Sequence, residues 1–125
     1  MTENELSKVI VNTAYQIHIG LGAGLFESVY EEILYYELTK IGLSVTRQQV
    51  IPVVWKGIEM EQGFRADLIV ENKVLIEIKS VAALAPVHHK QVLTYLKLTE
   101  LKLGLLINFN EAYIKNGITR IVNNL

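Results

Sequence analysis

Three charged residues set inside two adjoining apolar segments constrain this chain more than any other feature. Gly63-Phe64-Arg65-Ala66-Asp67-Leu68-Ile69-Val70 passes through a short polar break, Glu71-Asn72-Lys73, into Val74-Leu75-Ile76-Glu77-Ile78-Lys79-Ser80. Both segments read as buried β-strands. Burying unpaired charge is costly, so Asp67, Glu77 and Lys79 need a partner or a purpose.

Alternation along a strand puts Phe64, Ala66, Leu68 and Val70 on one face and Arg65, Asp67 and Ile69 on the other. In the second strand Val74, Ile76 and Ile78 oppose Leu75, Glu77 and Lys79. One face of the pair is therefore wholly apolar and belongs to the core. A three-residue loop over Glu71 to Lys73 sets Val70 against Val74, Asp67 across from Glu77, and Arg65 across from Lys79. A slip of one residue would turn every side chain of one strand to the wrong face. Directly opposed residues have Cβ atoms about 5 Å apart, where like charges repel. A divalent cation on oxygen ligands, with Lys79 beside it, is the natural occupant. The plain alternative is a solvated sheet face carrying a surface lattice of Arg65, Asp67, Glu77 and Lys79.

The chain of 125 residues is expected to form one domain, residues 1–125, with a single hydrophobic core. Half its residues are hydrophobic and only two are proline, a composition opposed to disorder. It has no cysteine, which excludes disulfides and thiolate metal sites and fits a reducing cytoplasm. No apolar run approaches bilayer length and the N-terminus lacks a basic signal region, so a cytoplasmic protein away from membranes is expected. A net charge of −1 argues against a strong sequence-independent grip on long duplex nucleic acid, although a local basic groove is compatible with it. The apolar content fits a homo-oligomer or a partner protein, or simply a dense core.

Thr2 or Asn4 can cap a first helix whose apolar positions Leu6, Val9, Ile10, Thr13, Ala14 and Ile17 follow helical spacing. It ends in Gly20-Leu21-Gly22-Ala23-Gly24. A second helix over about 25–41 buries Phe26, Val29, Tyr30, Ile33 and Leu34, and Gly42 stops it. A strand over about 44–55 turns at Lys56-Gly57 into a short return through Glu59 and Met60. After the charged hairpin, Pro86 opens a third helix reaching about Glu100. Strands over 103–109 and 118–122 close the order ααββββαββ, an α/β sandwich or α+β domain around one central sheet.

The glycine-rich stretch is no nucleotide loop: it follows a helix, and no Gly-Lys-Ser/Thr is present. A tight corner between helices is expected instead. Glu27, near the start of the second helix, is either an ordinary first-turn acid favoured by the helix dipole or a third carboxylate for the cation. His88, Gln91 and Tyr95 share one stripe of the third helix and face either a cleft or solvent. His88-His89 is no zinc site, since adjacent helical residues point apart. Ser28 and Ser80 have no base beside them, and no nucleophile elbow occurs. Aromatic residues of the single-strand-binding kind are scattered: Tyr35, Tyr36, Trp55 and Tyr113.

The series Gly24-Leu25-Phe26-Glu27-Ser28-Val29-Tyr30, then Asp67, then Glu77-Ile78-Lys79, then Gln91-Val92-Leu93-Thr94-Tyr95 resembles the GxxExxY family of the PD-(D/E)XK nuclease-like superfamily. The Gln-x-x-x-Tyr element is similar to that of RecB-like nucleases. Ala66 stands where the superfamily name has proline. The resemblance covers about 10–122 and implies a restriction-endonuclease-like core, a mixed central sheet flanked by helices. It implies that Asp67, Glu77 and the Ile78 carbonyl bind Mg2+ or Mn2+, with Glu27 assisting. Lys79 would stabilise the scissile phosphate or orient the attacking water. Gln91 and Tyr95 would position phosphate or water, and Tyr30 and His88 would help place substrate. The implied activity is metal-dependent hydrolysis of phosphodiester bonds, in DNA first and RNA second. The alternative is a nucleic-acid- or protein-binding module on the same fold that cleaves little.

Overall fold

Thr2 starts the first helix, α1 (Glu3–Leu21), by a reciprocal cap: its hydroxyl accepts the Glu5 N–H while Glu5 accepts the Thr2 N–H. The computed structural model describes residues 1–125. At the glycine corner Gly22 and Gly24 adopt φ of 73° and 99°, left-handed values that glycine takes without strain. The chain then enters α2 (Glu27–Lys40) two residues later than helical periodicity places it.

The expected first strand is split. β1 (Val45–Ile51) stops at Pro52, which has no N–H to give a ladder, and a separate two-stranded hairpin follows, β2 (Val54–Trp55) with β3 (Ile58–Glu59). Gly63 lets the returning chain pass close by: a Cβ there would sit 2.4 Å from the Ile51 carbonyl oxygen. Next come β4 (Phe64–Val70), β5 (Val74–Lys79), α3 (Pro86–Thr99), β6 (Leu103–Asn108), a single 3₁₀ turn over Ile114–Gly117, and β7 (Ile118–Val122).

The main sheet has the order β1-β4-β5-β6-β7. The β5–β6 pair is parallel, joined by the α3 crossover, and the other neighbours are antiparallel. This mixed sheet with helices on both faces is consistent with a restriction-endonuclease-like core. Leu68, Val70, Val74, Ile76, Ile78, Leu103, Leu105 and Ile107 meet α1 and α2 in the larger core cluster. Ile69, Leu75 and Leu106 meet Val92 and Leu96 of α3 in the smaller one. Both faces of the charged hairpin are thus largely buried, which replaces the one-sided, solvated alternative. Each fully buried Leu or Ile contributes about 1.5–3 kcal/mol, so the two clusters hold the site's strands from both sides.

The hairpin register is the expected one, with Val70 opposite Val74 and Leu68 opposite Ile76. The ladder ends there, so Arg65 does not come to oppose Lys79. From Asp67 toward the start of β4, that strand keeps only β1 as neighbour, while β5 continues to Lys79 beside Asn108 of β6. The sheet therefore opens into a fork. Phe64 and Ala66, expected with Leu68 on one face, pack instead in the α3 cluster. The alternation changes sides across Asp67, and the β1–β4 ladder lapses opposite it at Gln48, which takes a left-handed φ of 55°.

Candidate active site

The crotch of the fork is built by side chains that replace the missing ladder. Asp67 Oδ2 accepts the Ile78 N–H at 2.8 Å, and Glu77 Oε1 accepts the Asp67 N–H at 3.2 Å. Each acid thus satisfies a backbone donor from the other strand, as buried N–H groups require. Glu77 is only 8% exposed. Burial, and then the charge of Asp67, push its carboxyl up to about 8. Burial likewise raises Asp67, with the charge of Glu31 adding to it. Both acids are thus pushed toward the neutral form, chiefly by burial.

Asp67 has a further support that sequence reasoning does not reveal. Its Oδ1 accepts Gln48 Nε2 at 3.1 Å, and the same amide donates to Glu31 Oε1 at 2.5 Å. Glu31 lies on α2, 6% exposed, and its other oxygen accepts Arg47 Nε at 2.7 Å in the protein's one ion pair. A continuous chain of polar contacts therefore runs from α2 through β1 to the fork. A strained backbone such as that of Gln48 persists only where its surroundings hold it. Four adjacent polar residues, Thr46 to Gln49, are the sequence signal for this support, legible only once the β1–β4 register is known.

Lys79 stands half-buried at the end of β5 and forms no ion pair. Its charge favours the ionised form of Glu77. Beyond it, Asn108, fully buried, ties down the chain: its amide donates to the Val81 carbonyl at 2.9 Å and its oxygen accepts the Val81 N–H at 3.0 Å. Tyr95 reaches the fork from α3, stacked on Phe64 with centroids 3.8 Å apart. Burial, and then the charges of Glu77 and Asp67, raise its phenol. Gln91 lies one turn earlier on the same stripe and is exposed.

Three expected site residues are placed otherwise. Glu27 is exposed in the first turn of α2, lining a cleft of about 530 Å³ with Ser28, Ser80 and Asn110. No three His, Asp or Glu side chains gather tightly enough to hold an ion, so Glu27 does not join Asp67 and Glu77 in a cluster. Tyr30 is fully buried and stacked on Phe109. Its hydroxyl donates to the Gly22 carbonyl at 2.6 Å and accepts the Leu25 N–H at 3.2 Å. It locks the glycine corner and has no surface left for substrate. The His88 imidazole is turned back to the start of its own helix, where Nδ1 accepts the Ala85 N–H at 3.0 Å. The Ile78 contribution visible at the fork is its N–H, donated to Asp67.

Chemically, the fork offers two hard carboxylates that repel when both are ionised, an unpaired ammonium beside them and a phenol above. No helix of the protein is long and apolar enough to cross a membrane. A family model described as the PD-(D/E)XK nuclease superfamily matches residues 4–121. No curated protein and no solved structure matches the chain.

Proposed function

This chain belongs to the PD-(D/E)XK nuclease superfamily, and from that premise we propose that it hydrolyses phosphodiester bonds in DNA, with RNA as second substrate. Nucleases of this superfamily generally use divalent metal ions. Within it, the order of the four short motifs supports the GxxExxY family. The observation that carries the reading is the reciprocal bonding of half-buried Asp67 and buried Glu77 across the fork, which brings two carboxyl groups together where a cation would neutralise both.

The donor set fits Mg2+ or Mn2+, because both ions prefer carboxylate oxygen. When bound, such an ion would polarise a phosphate oxygen and lower the pKa of a water. Asp67 and Glu77 would hold it, and Gln48 with the Ile78 N–H fix the angle at which Asp67 presents its oxygens. Lys79, free of any ion pair, offers its ammonium to the charge that builds on the phosphate. Tyr95 and Gln91, one turn apart, position the phosphate backbone or the water. Glu27 acts from the rim of the neighbouring cleft.

One observation favours a second reading. No third acid closes with Asp67 and Glu77 into an ion-holding cluster, since Glu31 is engaged by Arg47 and Gln48, which suits a module that binds nucleic acid or protein and cleaves little. The test incubates the protein with single-stranded, duplex and branched DNA and with RNA, in Mg2+ or Mn2+, beside Asp67→Asn and Lys79→Ala. Cleavage by the wild type that disappears in both variants is the expected result. Cleavage that persists in both removes the site assignment, and binding without cleavage selects the second reading.

A further inference from the structure

The β2–β3 hairpin rises from the same end of the sheet as the site. β1 ends and β4 begins at its base, and because β4 and β5 run antiparallel the start of β4 points to the same end of the sheet as the end of β5, where Lys79 lies. Its tip residues Lys56 and Gly57 have φ of 50° and 80°. Positive φ at both central residues is the mark of a two-residue type I′ turn, whose twist suits paired strands. The projection is short and stiff. Trp55 pairs across it with Ile58 and is 66% exposed, with Lys56 Nζ 5.7 Å from the ring centroid.

The opposite flank of that end carries a second exposed aromatic. Ser80 Oγ donates to the Leu25 carbonyl at 2.7 Å, bringing the corner before α2 to the end of β5. Phe26, next in the chain, is 83% exposed and lines the same cleft as Ser80 and Glu27. The order β1-β4-β5-β6 sets the hairpin on one flank of the fork and the Phe26 corner on the other. Trp55, scattered in sequence, is therefore one of two aromatic surfaces bracketing Asp67, Glu77 and Lys79.

Charge decides what such surfaces can hold. The chain carries a net −1, and Glu59 and Glu61 on the returning arm offset Lys56. A duplex is gripped chiefly through its phosphates and needs an extended basic surface, which a net charge of −1 disfavours. Stacking requires an unpaired base and is sequence-tolerant, worth about 1–3 kcal/mol per base. We propose that the strand entering the site is unpaired nucleic acid, with bases stacked on Trp55 and Phe26 on either side of the fork. This deepens the phosphodiesterase reading and rests on it for the identity of the ligand.

Trp55 is the only tryptophan of the chain, so its emission reports stacking directly. The full chain is titrated in Ca2+ with oligothymidylate or oligouridylate of about 15 nucleotides, a length on the order of single-strand binding sites generally, and with a duplex of equal length. Saturable quenching by the single strands, and little by the duplex, is expected. With affinity read by anisotropy of a labelled oligonucleotide, Trp55→Ala and Phe26→Ala should each weaken single-strand binding about 5- to 100-fold, and Trp55→Phe should retain most of it. Unchanged affinity in both alanine variants, or a duplex bound as tightly, overturns the proposal. So does an emission change that follows protein concentration without oligonucleotide and sediments as a dimer, which assigns the hairpin to a second copy. Quenching without cleavage in Mn2+ removes the nuclease reading and leaves the grip. Cleavage with an unresponsive Trp55 does the reverse.

Discussion

Replacing Glu77 by glutamine should make the metal-free protein more stable. Raising the Glu77 carboxyl from 4.5 to about 8, at about 1.4 kcal/mol per pH unit, corresponds to an upper bound of about 5 kcal/mol once the group is forced to ionise. Glutamine keeps an oxygen for the Asp67 N–H, and its amide can donate to the Asp67 carboxylate without ever ionising. Imperfect geometry takes back part of the gain, so about 3 kcal/mol is expected at pH 9, or about 10 °C in Tm for a domain of this size. The sign follows from linkage. The folded pKa lies above the unfolded one, so this group's contribution is fully present below about 4.5 and lost as pH rises through about 8. Thermal and urea unfolding in EDTA at several pH values should show wild type and Glu77→Gln converging near pH 5 and separating toward pH 9, with the variant ahead. Adding Mn2+ should reverse the order at pH 9, because only the wild type gains from binding. A gap independent of pH, or a wild type ahead at pH 9 in EDTA, refutes the idea that the fork is electrostatically incomplete without a cation.

Lys79→Ala should lower cleavage about 100-fold or more while leaving Mn2+ affinity, read by calorimetry, within a few-fold of wild type. Gln48→Gly, which tolerates the φ of 55°, should weaken Mn2+ binding about tenfold through the freed Asp67, again by calorimetry. Gly104→Ala should destabilise by about 1–3 kcal/mol in urea unfolding, because its Cβ would meet Val92 Cγ1 at 2.6 Å and push α3 off the sheet.

What was legible in the sequence follows from period. The two-residue alternation of β4 and β5 sets Val70 against Val74 and brings Asp67 to Glu77, and Gly42 and Pro86 punctuate the helices as their backbones demand. What was illegible lies where period fails. Gln48 turns left-handed inside a strand, and the faces of β4 change sides at Asp67, so Phe64 and Ala66 go to α3 against alternation. Glu31 then supports the fork, although Glu27 carries the motif, because a buried carboxylate is held by Arg47 and Gln48 from a strand distant in sequence. The helical stripe likewise leaves His88 facing a cleft or solvent without revealing that its imidazole caps its own helix, and helical spacing buries Tyr30 without revealing that its hydroxyl is spent on a glycine corner.

The fork's acids also hold the sheet together, which determines how they can be tested. Asp67→Ala leaves the buried Ile78 N–H without its acceptor and Gln48 with Glu31 alone. An unsatisfied buried donor costs about 1–3 kcal/mol. Asp67→Asn keeps an oxygen for Ile78 while removing the charge. At about pH 5, where Glu77 is protonated in the fold and repulsion between the acids does not enter, the alanine variant should therefore be less stable than the asparagine variant by about 1–3 kcal/mol in urea unfolding. Both should lose metal binding. Equal stability would mean that the Ile78 N–H finds water or another acceptor, and that the carboxylate serves only the cation. A larger loss for alanine would make asparagine the only variant whose inactivity speaks about chemistry, because alanine would disturb the fork before any phosphate reached it.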